Sequence, residues 1–193
     1  MCPRPCAAPP GLPDAAFIRG KTPMTKQEVR AAALAKLAVR PTDTLWDVAR
    51  APAASVWSWR WPPLRAGSAP WSATRKLVTL SVRTAQNCGA KSAPYRGPCP
   101  RRTGRRRPTP DAVFIGGSKG SLRAVVDAAL AANPDARLCI SAIALETLQE
   151  AVAALTAHGL TAQVTQIAVS RSRAAGSLHL LMASNPVFLI ARE

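Results

Sequence analysis

The spacing of apolar side chains changes along the chain, and each change predicts an element. From Met24, MTKQEVRAAALAKLAV sets Val29, Ala32, Ala33 and Leu37 at helical spacing. Thr25 stands three residues before Glu28, the pattern of a capping box, so a helix of about four turns is expected to begin there. Pro41-Thr42-Asp43 then makes a turn, and Thr44-Leu45-Trp46-Asp47-Val48 is a short apolar run that reads as a buried strand. Past residue 110 the order becomes strand, helix, strand, helix, strand, strand. Asp111 to Ile115 is a strand ending in Gly116-Gly117-Ser118, residues 120 to 132 are helical, and Arg137 to Ile143 is a strand after an Asn133-Pro134-Asp135 turn. An amphipathic helix over 145 to 158 stops at His158-Gly159, and two late strands cover about 161 to 169 and 186 to 191.

Such alternation predicts an α/β fold, a mostly parallel, doubly wound sheet with helices on both faces. Ligands of such sheets bind beyond the carboxyl ends of the strands, here near Val48, Gly116-Gly117 and Ile143.

Between Ala49 and Pro110 the pattern stops. That window of 62 residues shows no sustained period of 2 or 3.6, holds nine of the 18 prolines and four of the five tryptophans (Trp57, Trp59, Trp61, Trp71), and does not read as a folded module. It also carries 13 Lys and Arg and no Asp or Glu, so the net charge of +16 sits almost wholly there; the flanks hold 13 basic and 10 acidic residues, a balance of only +3. With 193 residues the chain has room for one ordinary domain. We therefore expect a disordered leader over 1–13 and a single domain over 14–193, of which 49–107 is atypical and disordered. No run of apolar residues is long enough to span a bilayer, and the Pro-rich start MCPRPCAAPPGLPD lacks the core of a signal peptide, so a cytoplasmic protein is expected. The five cysteines (Cys2, Cys6, Cys88, Cys99, Cys139) are odd in number and scattered, which points neither to a metal site nor to a disulfide framework.

Six segments together resemble the decarboxylating precorrin (cobalt-precorrin-6B) C15 methyltransferases of cobalamin biosynthesis. They are FIRGKTPMTKQEVRA (17 to 31), LWDV (45 to 48), PDAVFIGGS (110 to 118), ALETLQEA (144 to 151), VSRSR (169 to 173) and NPVFLIA (185 to 191), in the family's order. The resemblance implies a class I, Rossmann-like fold that binds S-adenosyl-L-methionine, methylates a bridging carbon of a tetrapyrrole and assists loss of carbon dioxide from an acetate side chain. It implies no metal, since the sulfonium already makes the methyl electrophilic and the protein mainly orients it. Thr25, Gly116 and Gly117 are implied cofactor contacts, and Arg171, Arg173 and Asn185 implied substrate contacts, with guanidinium suited to the macrocycle's carboxylates. Read alone, Thr25 is a helix cap, Gly116-Gly117 a turn and the two arginines a solvated strand end. His158 reads as a charge partner at a helix end and His179 as a loop residue, neither catalytic; no catalytic residue is assigned. The family often forms oligomers, which makes a homo-oligomer the implied assembly.

After Val48 the family continues into a loop of the form G-A-G-S-G-S and a second strand ending in an acid, whereas this chain runs Ala49-Arg50-Ala51-Pro52-Ala53-Ala54 and offers no acid. Read from the third base of each codon, residues 48 to 62 can encode the missing loop, and Trp71 to Lys76 can encode Glu-Arg-Asn-Pro-Glu. Read from the second base, Arg96 to Pro100 can encode Glu-Gly-Pro-Ala-Pro, and the ordinary frame resumes by about Pro108. Residues 49 to about 107 are thus expected to be an out-of-frame translation, with the second and third strands lost and activity impaired. A competing function of another class takes the arginines and tryptophans at face value as a nucleic-acid or polyanion-binding arm; nothing arranges them on a folded surface, so nucleic acid is not the expected partner.

Overall fold

The computed structural model describes residues 13–16, 25–40, 43–48, 109–116 and 120–193, together with the backbone of 69–72 and 95–96. Expectations for 1–12, and for most of 49–107, lie outside the described residues.

A seven-stranded sheet organises the chain. Its strands are β1 (Leu45–Val48), β2 (Ala69–Ser72), β3 (Tyr95–Arg96), β4 (Ala112–Ile115), β5 (Arg137–Ala142), β6 (Ala162–Ile167) and β9 (Val187–Arg192), in the spatial order β3-β2-β1-β4-β5-β9-β6. The first five run parallel, and β9 is antiparallel to both its neighbours. Strands β7 (Ser170–Ala175) and β8 (Leu178–Ala183) form a separate antiparallel hairpin.

Two apolar layers enclose the sheet, as the alternation predicts. On one face α2 (Leu122–Ala132) lays Leu122, Val125, Val126, Ala129 and Leu130 against Val113, Ile115, Leu138 and Ile140. Beside it, α3 (Leu145–Thr156) adds Ala151, Ala154 and Leu155. On the other face α1 (Gln27–Leu37) packs Val29, Ala33 and Leu37 on Leu45, Phe114, Cys139 and Leu189. Because both faces are covered, β4 is buried at all four positions and reads Ala-Val-Phe-Ile without alternation. Gly159, at a φ of 70°, turns the chain out of α3, which is the stop the sequence predicts at His158-Gly159.

Three expectations need correction. Strands two and three are not lost, since β2 and β3 add in parallel beside β1. Ladder bonds need only backbone N–H and C=O groups, and the open edge of β1 can template a neighbour whose sequence carries no strand period. The capping box does not form: Lys26 is the N-cap without a side-chain cap bond, and Glu28 turns instead to Arg171, a charge-assisted partner stronger than a neutral N–H. His179 lies in β8, not a loop.

Arg137 fixes the amino end of the sheet. Its Nη1 donates to the carbonyl of Leu37 at 2.9 Å and to that of Ala38, and its Nη2 pairs with Asp43 just before β1. The last turn of α1 is therefore held at that end. The helix, about 16 Å long, carries Thr25 and its first turn toward the opposite, carboxyl end of the strands. Among the described residues no helix is long and apolar enough to cross a membrane.

Candidate functional site

The carboxyl ends of β1, β2 and β4 lie abreast, with Val48 registered against Trp71 on one side and Ile115 on the other. The N–H of Gly116 donates to the carbonyl of Val48 at 2.8 Å, tying the tips of β1 and β4 together where the chain leaves the sheet. Gly116 is half-buried; Gly117 lies outside the described residues. Asp47, one residue below this edge, is fully buried on the face covered by α1. Next along the edge, Ile143 and Leu145 follow β5 and are largely exposed.

Beside the first turn of α1 the structure assembles four charges. Arg30 is completely buried and donates from Nη1 to Asp14 Oδ1 at 2.8 Å and to the carbonyl of Thr25. Asp14 sits in a single 3-10 turn (Asp14–Ala16), and its other oxygen accepts from Arg171 Nη1 at 3.0 Å. Arg171, on β7, also grips Glu28, Nε donating to Oε1 at 3.1 Å and Nη2 to Oε1 at 2.8 Å. Burial pushes the Asp14 carboxyl up, but hydrogen bonds from Arg30 and Arg171 outweigh it and hold the group below its ordinary value. Glu28 is likewise held down, chiefly by its hydrogen bond from Arg171. The cluster straps the N-terminal segment and the hairpin to α1.

Of the residues singled out from sequence, Thr25 and Arg171 are thus brought together by way of Arg30 and Asp14, at the base of α1. Arg171 is engaged within the chain. Arg173, two residues along the same strand face, is exposed, and so is Asn185 in the link between β8 and β9. Sequence reasoning missed Asp14 and Arg30. A signal for Arg30 existed: it stands three and seven residues before Ala33 and Leu37, on the apolar stripe where an arginine must find a carboxylate. His158 Nε2 lies 2.7 Å from Asp127 Oδ1 of α2, a hydrogen bond between α2 and the chain just past α3. Cys139 is buried in β5, and burial pushes its thiol up to about 12, an inert core thiol and not a nucleophile.

A family profile described as the precorrin methyltransferase domain matches residues 15–192. The chain belongs to this family. Among curated relatives, a "probable cobalt-precorrin-6B C(15)-methyltransferase (decarboxylating)" of Pyrobaculum calidifontis is 34% identical over 188 residues, 95% of each chain. Among solved structures, a precorrin-6y C5,15-methyltransferase from Geobacter metallireducens superposes with a TM-score of 0.84 at 26% identity, over 94% of this chain and 96% of that one. A SAM-dependent O-methyltransferase from Thermotoga maritima superposes with a TM-score of 0.67 at 11% identity, over 90% of this chain and 67% of the other, a likeness of fold alone. The family's sheet is accordingly the class I methyltransferase sheet, as the sequence resemblance implies, with β9 as its antiparallel member.

Proposed function

We propose that this chain derives from an enzyme that transfers a methyl group from S-adenosylmethionine to C15, a bridging carbon of a precorrin or cobalt-precorrin, and releases carbon dioxide from an acetate side chain, in cobalamin biosynthesis. Family membership and the name of the Pyrobaculum relative support the reaction. The observation that carries it is the shared carboxyl edge of β1, β2 and β4, joined by the Gly116 to Val48 hydrogen bond, where sheets of this kind receive a nucleotide-type donor.

Thr25, Gly116 and Gly117 are the proposed donor contacts. Arg173 and Asn185 are exposed and free to meet carboxylates at the rim, while Arg171 holds the hairpin that presents Arg173.

The residues present do not fit the donor. The segment after Val48 offers no glycine for close approach of backbone, and the end of β2, abreast of Val48, offers Trp71 and Ser72 where a ribose needs a carboxylate.

A homo-oligomer is the proposed assembly. Four of the seven large apolar side chains exposed among the described residues, Leu178, Leu180, Leu181 and Met182, lie on β8, whose outer edge pairs with no other described strand. An identical hairpin is the self-complementary cover that two-fold pairing supplies.

Substrate binding tests the reading independently of the donor. Absorption titration of cobalt-precorrin-6B with the purified chain should give a saturable shift, weakened roughly tenfold by Arg173→Ala, the loss of one charged hydrogen bond. A spectrum that does not saturate would reject the tetrapyrrole substrate.

A further inference from the structure

We propose that residues 49 to about 107 are an out-of-frame reading of a DNA segment that encodes the donor-binding loop and ribose carboxylate of this sheet. The inference rests on the methyltransferase reading above and explains why the residues present do not fit it.

The structure fixes where those parts must lie. Val48 ends β1 and is registered against Trp71, the third residue of the four-residue β2, so the carboxyl ends of the two strands are neighbours. Sheets that bind adenosine-containing cofactors place a Gly-rich turn directly after β1 and an acid at the end of β2, about 20 residues on. Neither stands in this chain.

Shifted back by one base, the same codons supply both. Every Ala codon begins GC, so a triplet made of any base and GC can mean only Gly, Ser, Cys or Arg. The CC of Pro52 and a CG codon for Arg50 give only Ala, Ser, Thr or Pro. Positions 49–54 are therefore confined almost wholly to small residues, and Gly-Ala-Gly-Ser-Gly-Ser lies within that set. Continuing in the same frame, residues 54–62 permit Val-Ser-Val-Glu-Leu-Glu-Met-Ala, a helix start in which the acids fall near the positive end.

The tryptophans carry the argument furthest. Trp has one codon, TGG, whose last base becomes the first base of a shifted triplet. Where a Ser or Arg with an AG codon follows, that triplet is GAG, a Glu codon. This occurs at Trp57-Ser58, Trp59-Arg60 and Trp71-Ser72. One cause thus accounts for the surplus of Trp and the lack of Asp and Glu in the window. The third Glu falls at the tail of β2, abreast of Val48, which is the place the sheet requires for the ribose acid. The sequence arithmetic and the strand register, independent of one another, agree on that position.

A second shift of the same sign before Arg96 and a third before about Pro108 return the frame to the one that gives β4. Each is the loss of one base, so the uninterrupted reading is one codon longer.

The codons themselves test this. Genomic DNA from the source should show AG codons for Ser58, Arg60 and Ser72, and a shifted frame without stops from codon 48 to about codon 95. TC serine codons, a CG codon at Arg60, or a stop in that frame would overturn the inference while leaving the family assignment intact. A full chain rebuilt with the shifted residues over 49–107 should show a melting temperature that rises with added S-adenosylmethionine, which the present chain should not. Matching codons with no response from the rebuilt chain would overturn the donor site itself and the donor-dependent reading with it; an equal response from both chains would overturn the frame inference.

Discussion

Replacing Asp14 by Ala is expected to lower the unfolding free energy by about 3 to 5 kcal/mol, because it removes the carboxylate that faces the fully buried Arg30 guanidinium. The double variant Asp14→Leu with Arg30→Met should cost much less, since apolar groups of similar volume fill the same space without a desolvated charge. Urea denaturation compares them; a single variant no less stable than the double would contradict the role given to this pair. The same cluster sets an acid limit. The folded-state values of Asp14 and Glu28 are held below those of the unfolded chain, so their contribution is complete above the ordinary carboxylate range, near pH 4, and is lost as pH falls through the depressed values. The urea midpoint of the unaltered chain should therefore drop below pH about 4 more steeply than that of Asp14→Ala.

Charging the hairpin should dissociate the proposed homo-oligomer. Leu180 and Met182 pair with Arg173 and Arg171 and share their face, whereas Leu181, 75% exposed and paired with Ser172, lies on the other face, away from the Arg171 strap and Arg173. Lysine at position 181 puts a like charge from each copy into a contact of identical hairpins through that face, where burial of an unpaired charge is costly. Analytical ultracentrifugation should find the unaltered chain as an oligomer and Leu181→Lys as a monomer with an unchanged circular dichroism spectrum. A variant that sediments like the unaltered chain, or an unaltered chain that is monomeric, would contradict the assigned interface.

The sequence was most legible where one side-chain period ran unbroken. Val125, Val126, Ala129 and Leu130 announce α2, and the apolar Ala-Val-Phe-Ile of β4 announces a strand covered on both faces. The hairpin escaped because Arg171 and Arg173 alternate with serine and look like a solvated end. Its signal was Gly176-Ser177 between two six-residue runs, a two-residue turn in which Gly176 takes a φ of 64°. Strands β2 and β3 could not be read from periodicity at all, since their pairing rests on backbone groups beside the edge of β1.

The candidate site was legible in part. Family motifs led to Thr25, Gly116, Arg171 and Arg173, but not to the use Arg171 has. An arginine bridging Glu28 and Asp14, 143 and 157 residues away in sequence, is a long-range pairing that no local spacing reveals. The capping-box reading failed for the same reason: Glu28 had a distant and stronger partner.

Calorimetric titration of S-adenosylmethionine into the present chain, with its fold checked by circular dichroism, tests the central claim most directly. A class I sheet without a glycine turn after Val48 or a carboxylate at the end of β2 predicts no saturable heat even at millimolar donor. A saturable isotherm with micromolar affinity would contradict it.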